Sequence, residues 1–357
     1  MKYNRLGNTG LYVSEICLGT MTFSGQNYFN GVIGTLDQKA ATQLIARSLE
    51  ARVNFIDTAD VYSLGESEKM TGQALKDLGV QRKDVVIATK VFGRMAPGPN
   101  DIGASRGHIM DSVSRSLERL QTDHIDLYQI HQSDIVTPVE ETMRALDDLV
   151  AQRMIRYVGV SNWEAWKIMK ANGIADKRGW ARVESCQAYY SIAGRDLEHD
   201  LVPLMKDQNV GCLVWSPLAG GYLAGKYTPG GEAAGSNSGR RASFDFPPID
   251  KPKADEIVLA MRDIAKAHGV SVARVALAWV RMKPFVTSTI IGAKTLEQLN
   301  DNLDAVSLTL SDAEMTKLDE ISAQRTQYPH WMAARNNSTR IPTGPPVAMG
   351  GIPPAKV

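Results

Sequence analysis

Short apolar runs and longer stretches with an amphipathic stripe alternate along the chain to about residue 325. Residues 2–14 open as a hairpin, with Tyr3 and Leu6 on one arm and Leu11 and Val13 on the other, around Gly7-Asn8-Thr9-Gly10. Eight apolar runs then read as strands: Ile16–Gly19, 53–57, Val85–Thr89, Ile125–Ile130, Ile155–Val160, Val183–Ala188, Val210–Trp215 and Val286–Ile291. Helical spacing fills the gaps, at 38–51 (Ala41, Leu44, Ile45, Leu49), 67–77, 105–120, from Pro138 to Val150, 163–172 and 197–208. Two further helices, 253–268 and 271–282, precede the last strand, and 295–304 and 311–323 follow it.

Strands that alternate with helices pair in parallel, because each return crossing is made by a helix. An open doubly wound sheet fits this rhythm, but eight units in this length favour a closed (β/α)8 TIM barrel. No Pro- or Gly-rich linker interrupts the repeats, so residues 1–325 read as a single domain. The hairpin, preceding the first strand, is placed to cover the N-terminal mouth. Residues 216–250 form a long loop after the seventh strand, rich in Gly, Ser and Pro. The tail, 326–357, holds six prolines and three glycines, and no helix is expected in it.

Composition narrows the class. Forty basic and 39 acidic side chains leave a formal charge of +1, which points to neither nucleic acid nor an anionic membrane. Cys17, Cys186 and Cys212 sit in apolar runs without metal-ligand spacing, and read as reduced core thiols of a cytoplasmic-type compartment. Neither a signal peptide nor a membrane span is legible, so a soluble protein is expected.

Chemistry gathers where the strands end, the place where such barrels build their sites. The first run is followed by Gly19-Thr20-Met21, and the second ends in Asp57 with Tyr62 beyond it. Next come Lys90, His131, Ser161-Asn162, Gln187, Trp215-Ser216-Pro217 and Gly292-Ala293-Lys294. Each has an ordinary reading: Asp57 as a turn or helix cap, Lys90 as a solvated strand end, His131 and Trp215 as core. Asp, Tyr, Lys and His at neighbouring strand ends together are harder to explain that way.

The ordered set Asn54-Phe55-Ile56-Asp57-Thr58-Ala59 with Tyr62, Thr89-Lys90, Ile130-His131, Gly159-Val160-Ser161-Asn162 and Trp215-Ser216-Pro217-Leu218 resembles the aldo-keto reductase superfamily. Within it, the chain is most similar to the branch containing bacterial reductases and potassium-channel β subunits, from Arg5-Leu6-Gly7 to about residue 325. The resemblance implies hydride transfer between a nicotinamide cofactor and a carbonyl or alcohol. Tyr62 would be the general acid, Lys90 its neighbouring cation, Asp57 the partner of Lys90, and His131 the group that orients the substrate oxygen. An ammonium about 4 Å from the phenol is worth roughly 4 kcal/mol at an effective dielectric of about 20, and pulls the phenol pKa down. Asp57 offsets part of that pull.

By the same resemblance Ser161, Asn162 and Gln187 would hold the nicotinamide carboxamide, and Trp215 would stack on its ring. Thr20, Met21 and Asp57 lie beside it. Residues 216–221 (Ser216, Pro217, Leu218 and Gly220 among them) with Lys226 would wrap the pyrophosphate. Gly292, Lys294, Gln298, Asn302 and Arg241 would take the adenosine end. Lys294 and Arg241 favour NADPH, with NADH the alternative, because many relatives carry arginine where this chain has Gln298. No Gly-x-Gly-x-x-Gly fingerprint follows a strand, which disfavours a Rossmann binder.

The substrate walls are expected from Phe23, Tyr28, Phe92 and Tyr189, with Met21, Phe29, Met95, Tyr190 and Trp331 as further candidates. Such surfaces suit a fairly apolar aldehyde or ketone. A regulatory nicotinamide-binding module with weak catalysis is the second reading, although the channel branch often has asparagine where this chain keeps His131. A metal-dependent barrel enzyme is disfavoured for want of clustered histidines. Self-association into a homo-oligomer fits the resemblance, and its order is not legible.

Overall fold

The apolar runs pair in the order in which they occur. In the computed structural model, which describes residues 1–24, 36–227, 241, 244–337 and 340, β1 (Tyr3–Arg5) and β2 (Tyr12–Ser14) form the antiparallel hairpin. β3 (Ile16–Gly19), β4 (Phe55–Asp57), β5 (Val86–Val91), β6 (Ile125–Ile130), β7 (Ile155–Ser161), β8 (Val183–Tyr189), β9 (Gly211–Trp215) and β10 (Val286–Ile291) form a closed parallel barrel. Closure pairs Thr289 of β10 with Ile16 of β3.

Helices α1 (Gln38–Glu50), α2 (Glu66–Asp77), α3 (Arg106–Leu120), α4 (Val139–Ala151), α5 (Ala165–Arg178) and α6 (Leu201–Gln208) follow successive strands. Helices Lys251–His268 and Val272–Arg281 precede β10, and Leu296–Leu303 and Asp312–Ile321 follow it. Several starts are fixed by capping side chains legible in the sequence: Asp37 accepts from the Ala40 amide, and Ser311 and Glu314 form a reciprocal capping box.

Because side chains alternate across a strand, each barrel strand has two destinations. Ile16, Leu18, Ile56, Ile87, Tyr128 and Ile130 pack in the layer between barrel and helices. Cys17, Phe55, Val86, Ala88, Leu127 and Leu213 cluster inside the barrel with Leu6 and Val13 of the hairpin. The hairpin is tied to the ends where strands begin. The Asn8 amide donates to Glu184, the Asn4 side chain donates to the Thr287 carbonyl, and Asn54 bonds both Ser14 and Tyr12. The N-terminal mouth is thus covered, and the interior rows run on toward the opposite rim.

One glycine sets the width of that interior. A Cβ on Gly159 would come within 2.5 Å of Ser185 Oγ and 3.0 Å of Gln129 Cγ. Its absence makes room for a layer of polar side chains beneath the rim.

Three expectations need correction. The helix expected over 197–208 divides into a 3-10 turn, Asp196–Glu198, and α6, whose third residue is Pro203. Proline suits a first turn, where no amide partner is required, and so dates the true start. α5 continues past 172 to Arg178, ending at Gly179 in the left-handed conformation. In the tail, a helix does form, His330–Asn337. It lies between Pro329 and Pro342, where Trp331, Met332, Ala333 and Ala334 offer no breaker.

The long loop after β9 carries a 3-10 turn, Ala219–Ala224, and its residues 228–240, 242 and 243 lie outside the described residues. All three cysteines are buried and free, and burial pushes the Cys186 thiol up to about 12. Among the described residues no helix is long and apolar enough to cross a membrane.

Replacing Gly159 by alanine should lower stability by about 1–3 kcal/mol, as expected for overpacking a filled interior. Urea denaturation of the purified variant measures it; an unchanged midpoint would show that Gln129 and Ser185 yield freely.

Candidate active site

Interior positions on successive strands become polar at the rim where strands end. On β4 the row Phe55, Asp57 ends in an acid; on β5, Ala88 is followed by Lys90; on β6, Leu127 and Gln129 lead to His131. Lys90 is fully buried and Asp57 nearly so, and Lys90 Nζ lies 2.5 Å from Asp57 Oδ1. The same ammonium donates to the Thr58 carbonyl at 2.8 Å and, more distantly, to the Tyr62 hydroxyl at 3.4 Å. Asp57 Oδ2 accepts from Gln187 Nε2 at 2.8 Å and from Gln129 Nε2 at 3.1 Å. Both carboxylate oxygens are therefore satisfied within the barrel.

Tyr62 reaches this group from a turn zipped onto β5. The Thr58 amide donates to the Ala88 carbonyl and the Asp60 amide to the Lys90 carbonyl, extending the β4–β5 pairing beyond the strand. The 3-10 turn Tyr62–Gly65 then runs through left-handed Ser63 and Leu64, and Gly65 (φ 93°) passes tightly over Arg119. The His131 ring meets that of Tyr62 edge-on, with centroids 5.8 Å apart.

The electrostatics follow from burial. Withdrawal of the phenol from water raises the Tyr62 pKa above the ordinary tyrosine value; Lys90 pulls it down and Asp57 pushes it up. The expectation that Lys90 draws the phenol below its ordinary value is thus overturned, because desolvation wins. Lys90 loses solvation too, but Asp57 and Tyr62 more than compensate and raise its pKa, so it stays cationic. Burial, then the Lys90 charge, pushes His131 well below the usual histidine range, leaving a neutral imidazole.

The rim continues over β7 to β9. Asn162, left-handed at φ 57°, donates to the His131 carbonyl and to Ser161 Oγ, and accepts from Trp215 Nε1 at 3.0 Å. Trp215 itself packs against Tyr189 at 5.2 Å and is stacked by Phe246 at 5.7 Å, with 11° between the planes. Beyond β9, Ser216 Oγ accepts from the Gly220 amide, Pro217 is buried and Leu218 half-buried. Arg241 is buried, donating to the Ala219 and Pro247 carbonyls and pairing with Asp245. Lys226 is exposed, its ammonium 5.1 Å from the Tyr227 ring centre. After β10, Asn302 donates to the Gly292 carbonyl, and Gln298 accepts from the exposed Lys294 amide.

Thr20 is fully buried, bonded to Asp57 through its amide and to Ser67 through its hydroxyl, while Met21 is half-buried. Phe92 and Met95 are half-buried and Trp331 is exposed. Phe23 is fully buried in the core, and so is Tyr190, stacked on Trp279, so both take the packing alternative to a substrate wall. Tyr28 and Phe29 lie outside the described residues.

Two contributors escaped the sequence reading. Gln129 was hidden in the run Ile125–Ile130, where only its interior parity with Leu127 and His131 could have marked it. Beneath the Tyr62 turn, buried Glu68 accepts from Arg119 Nε at 2.6 Å and from Thr89 Oγ1 at 2.5 Å, anchoring α2 to α3 and β5.

Asp57→Asn should destabilise the fold by about 3–5 kcal/mol, since it strands the buried Lys90 charge. A thermal melt at neutral pH checks it, and an unshifted midpoint would show that Lys90 is not held by this pair.

Comparison with known proteins agrees with the geometry. The Aldo/keto reductase family matches residues 15–323. An oxidoreductase of Bacillus subtilis (strain 168), YrpG, is 37% identical over 329 residues, covering 90% of this chain and 96% of its own. A probable voltage-gated potassium channel subunit beta of Arabidopsis thaliana is 35% identical, covering 92% of this chain and 99% of its own. The versiconal hemiacetal acetate reductase of Aspergillus parasiticus is 32% identical, with the same two coverages of 92% and 99%. With a closed parallel barrel, and with Asp57, Tyr62, Lys90 and His131 brought together at one rim, the chain belongs to the aldo/keto reductase family.

Proposed function

We propose that the protein is an NADPH-dependent reductase of aldehydes or ketones, with Tyr62 as general acid. The observation that carries this reading is the contiguity of phenol, ammonium and carboxylate: Tyr62 OH 3.4 Å from Lys90 Nζ, itself 2.5 Å from Asp57. Tyr62 keeps its proton until a carbonyl oxygen gathers negative charge. Lys90, held charged, then stabilises the phenolate left behind. Neutral His131 offers a ring nitrogen to orient the carbonyl oxygen, and the reverse sequence oxidises an alcohol. When bound, reduced nicotinamide supplies the hydride.

The residues present fit such a cofactor. Ser161, Asn162 and Gln187 bring hydroxyl and amide groups to one side of the rim, and Trp215 brings a flat apolar face. Left-handed backbone at Ser216, Ala219, Gly220 and Gly221 makes a compact turn of the kind that receives an anion, with Lys226 close by in sequence. Arg241 is taken up by Asp245 and two carbonyls, so preference for the 2′-phosphate of NADPH rests on Lys294. Met21, Phe92 and Tyr189 supply half-buried apolar surface for a fairly apolar carbonyl compound.

The similarity to a potassium-channel β subunit supports a second reading, a nicotinamide-binding regulatory module of weak catalysis. Oxidation of NADPH followed at 340 nm with a panel of aldehydes and ketones separates the two. Tyr62→Phe should cut reduction by about a hundredfold or more, the contribution of a positioned acid, while NADPH still binds. Unchanged turnover in that variant rules out the assignment.

The pH dependence has a definite sign. Reduction needs protonated Tyr62, whose pKa is raised by burial, so its rate should stay flat through neutrality. It should fall only above the ordinary phenol pKa of about 10, while alcohol oxidation, which needs the phenolate, rises. The profile of kcat/KM measures this; an inflection near pH 6–7 would move the proton to His131.

A further inference from the structure

The turn that carries Tyr62 has a second face. Asp60, two residues earlier, is fully buried, and neither of its carboxylate oxygens makes a hydrogen bond of ordinary geometry. Burial and the nearby Glu68 carboxylate hold this acid well above the usual range, against weaker relief from the Val61 amide, Arg119 and Lys90. From β6 the Tyr128 hydroxyl, also buried and without a partner, lies close to the same two acids. Buried polar groups left in this condition are rare, and each calls for a partner.

Asp60 lies at the inner end of a cavity of about 570 Å³ between the Tyr62 turn, the loop after β5 and α3. That volume falls within the range of small-molecule sites. His108, whose Nε2 also lacks a partner, shares the cavity, and burial lowers its pKa so that it is neutral. Half-buried Asp101 and exposed Asp111 add two carboxylates toward the outside. Arg119 lines the cavity but is committed to Glu68 and Ser116, and Arg115 is exposed on α3. The inner end therefore offers acceptors and negative charge. Among the described residues no three His, Cys, Asp or Glu side chains converge closely enough to hold a metal ion.

From this geometry we infer that the cavity binds a small organic ammonium ion, its charged nitrogen seated on Asp60. An ammonium brings three donors to a site of bare acceptors, and its alkyl body suits Leu64 and Met95 on the walls. Binding favours the ionised carboxylate, so Asp60 gives up its proton as the cation enters.

Calorimetric titration of the full chain with n-butylammonium chloride tests the site, with sodium butyrate and 1-butanol as controls. Saturable one-to-one binding is expected for butylammonium alone. Its heat should change with the ionisation enthalpy of the buffer, reporting the released proton. Asp60→Asn should weaken binding about tenfold or more and abolish the buffer dependence, as for loss of a charge-assisted hydrogen bond. Where that variant does not fold, the exposed Asp111→Asn serves, with an expected loss of about threefold from a single nearby charge at the mouth. Absence of saturable butylammonium binding overturns the proposal. So does butyrate or butanol binding as well as the ammonium, or an affinity that the folded variants leave unchanged.

Discussion

The barrel is organised around a buried ion pair. Lys90 and Asp57 have almost no contact with solvent, and two charges taken out of water are tolerated only when every remaining donor and acceptor is matched. Here the matching is done by the Thr58 carbonyl on one side and by Gln129 and Gln187 on the other. These groups come from β4, β5, β6 and β8, so the pair is satisfied only if four strands keep their register. A slip of one residue in β5 would turn Lys90 toward the helices and strand Asp57 inside. The pair thus ties the chemistry of the rim to the alternation of the strands below it.

That arrangement also decides how the proton is held. A lysine beside a phenol is readily read as a device for making phenolate, and in isolation it is. Inside this barrel the enclosure of Tyr62 and the charge of Asp57 act against Lys90, and the phenol stays protonated. The cation then matters after proton transfer rather than before it, by stabilising the anion formed. Desolvation is therefore part of the same device: it keeps the acid loaded, and it strengthens the attraction that awaits its conjugate base.

Much of this was legible in the chain. Period-two apolar runs separated by amphipathic stretches give the barrel strands in order, and the polar residue ending each run lies at the rim where they converge. What was not legible depends on partners distant in sequence. Gln129 looks like one more strand residue until it meets Asp57, 72 positions away. Arg241 reads as an anion ligand, yet its guanidinium is drawn to carbonyls and an acid of its own loop. Phe246 gave no signal at all, because its role is to stack on Trp215 after a connection whose course composition does not specify. In the tail, counting prolines over the whole segment concealed a proline-free window long enough for two turns of helix.

The same limitation applies to Asp60. In sequence it is one polar residue in a motif already accounted for by Asp57 and Tyr62. In the fold the odd and even positions of that motif part company: Asp57 points into the barrel, whereas Asp60 lines a cavity against α3. Their backbones remain joined, since the Asp60 amide is bonded to the carbonyl of Lys90 itself. A charge that enters or leaves the outer cavity acts on a turn whose other face carries the general acid. The carboxylate of Asp60 is among the charges that raise the Tyr62 pKa, so the two faces share an electrostatic connection as well as a strand end. Rigid pairing to β5 keeps the turn in place, which leaves charge, rather than movement, as the simplest means by which one face can influence the other.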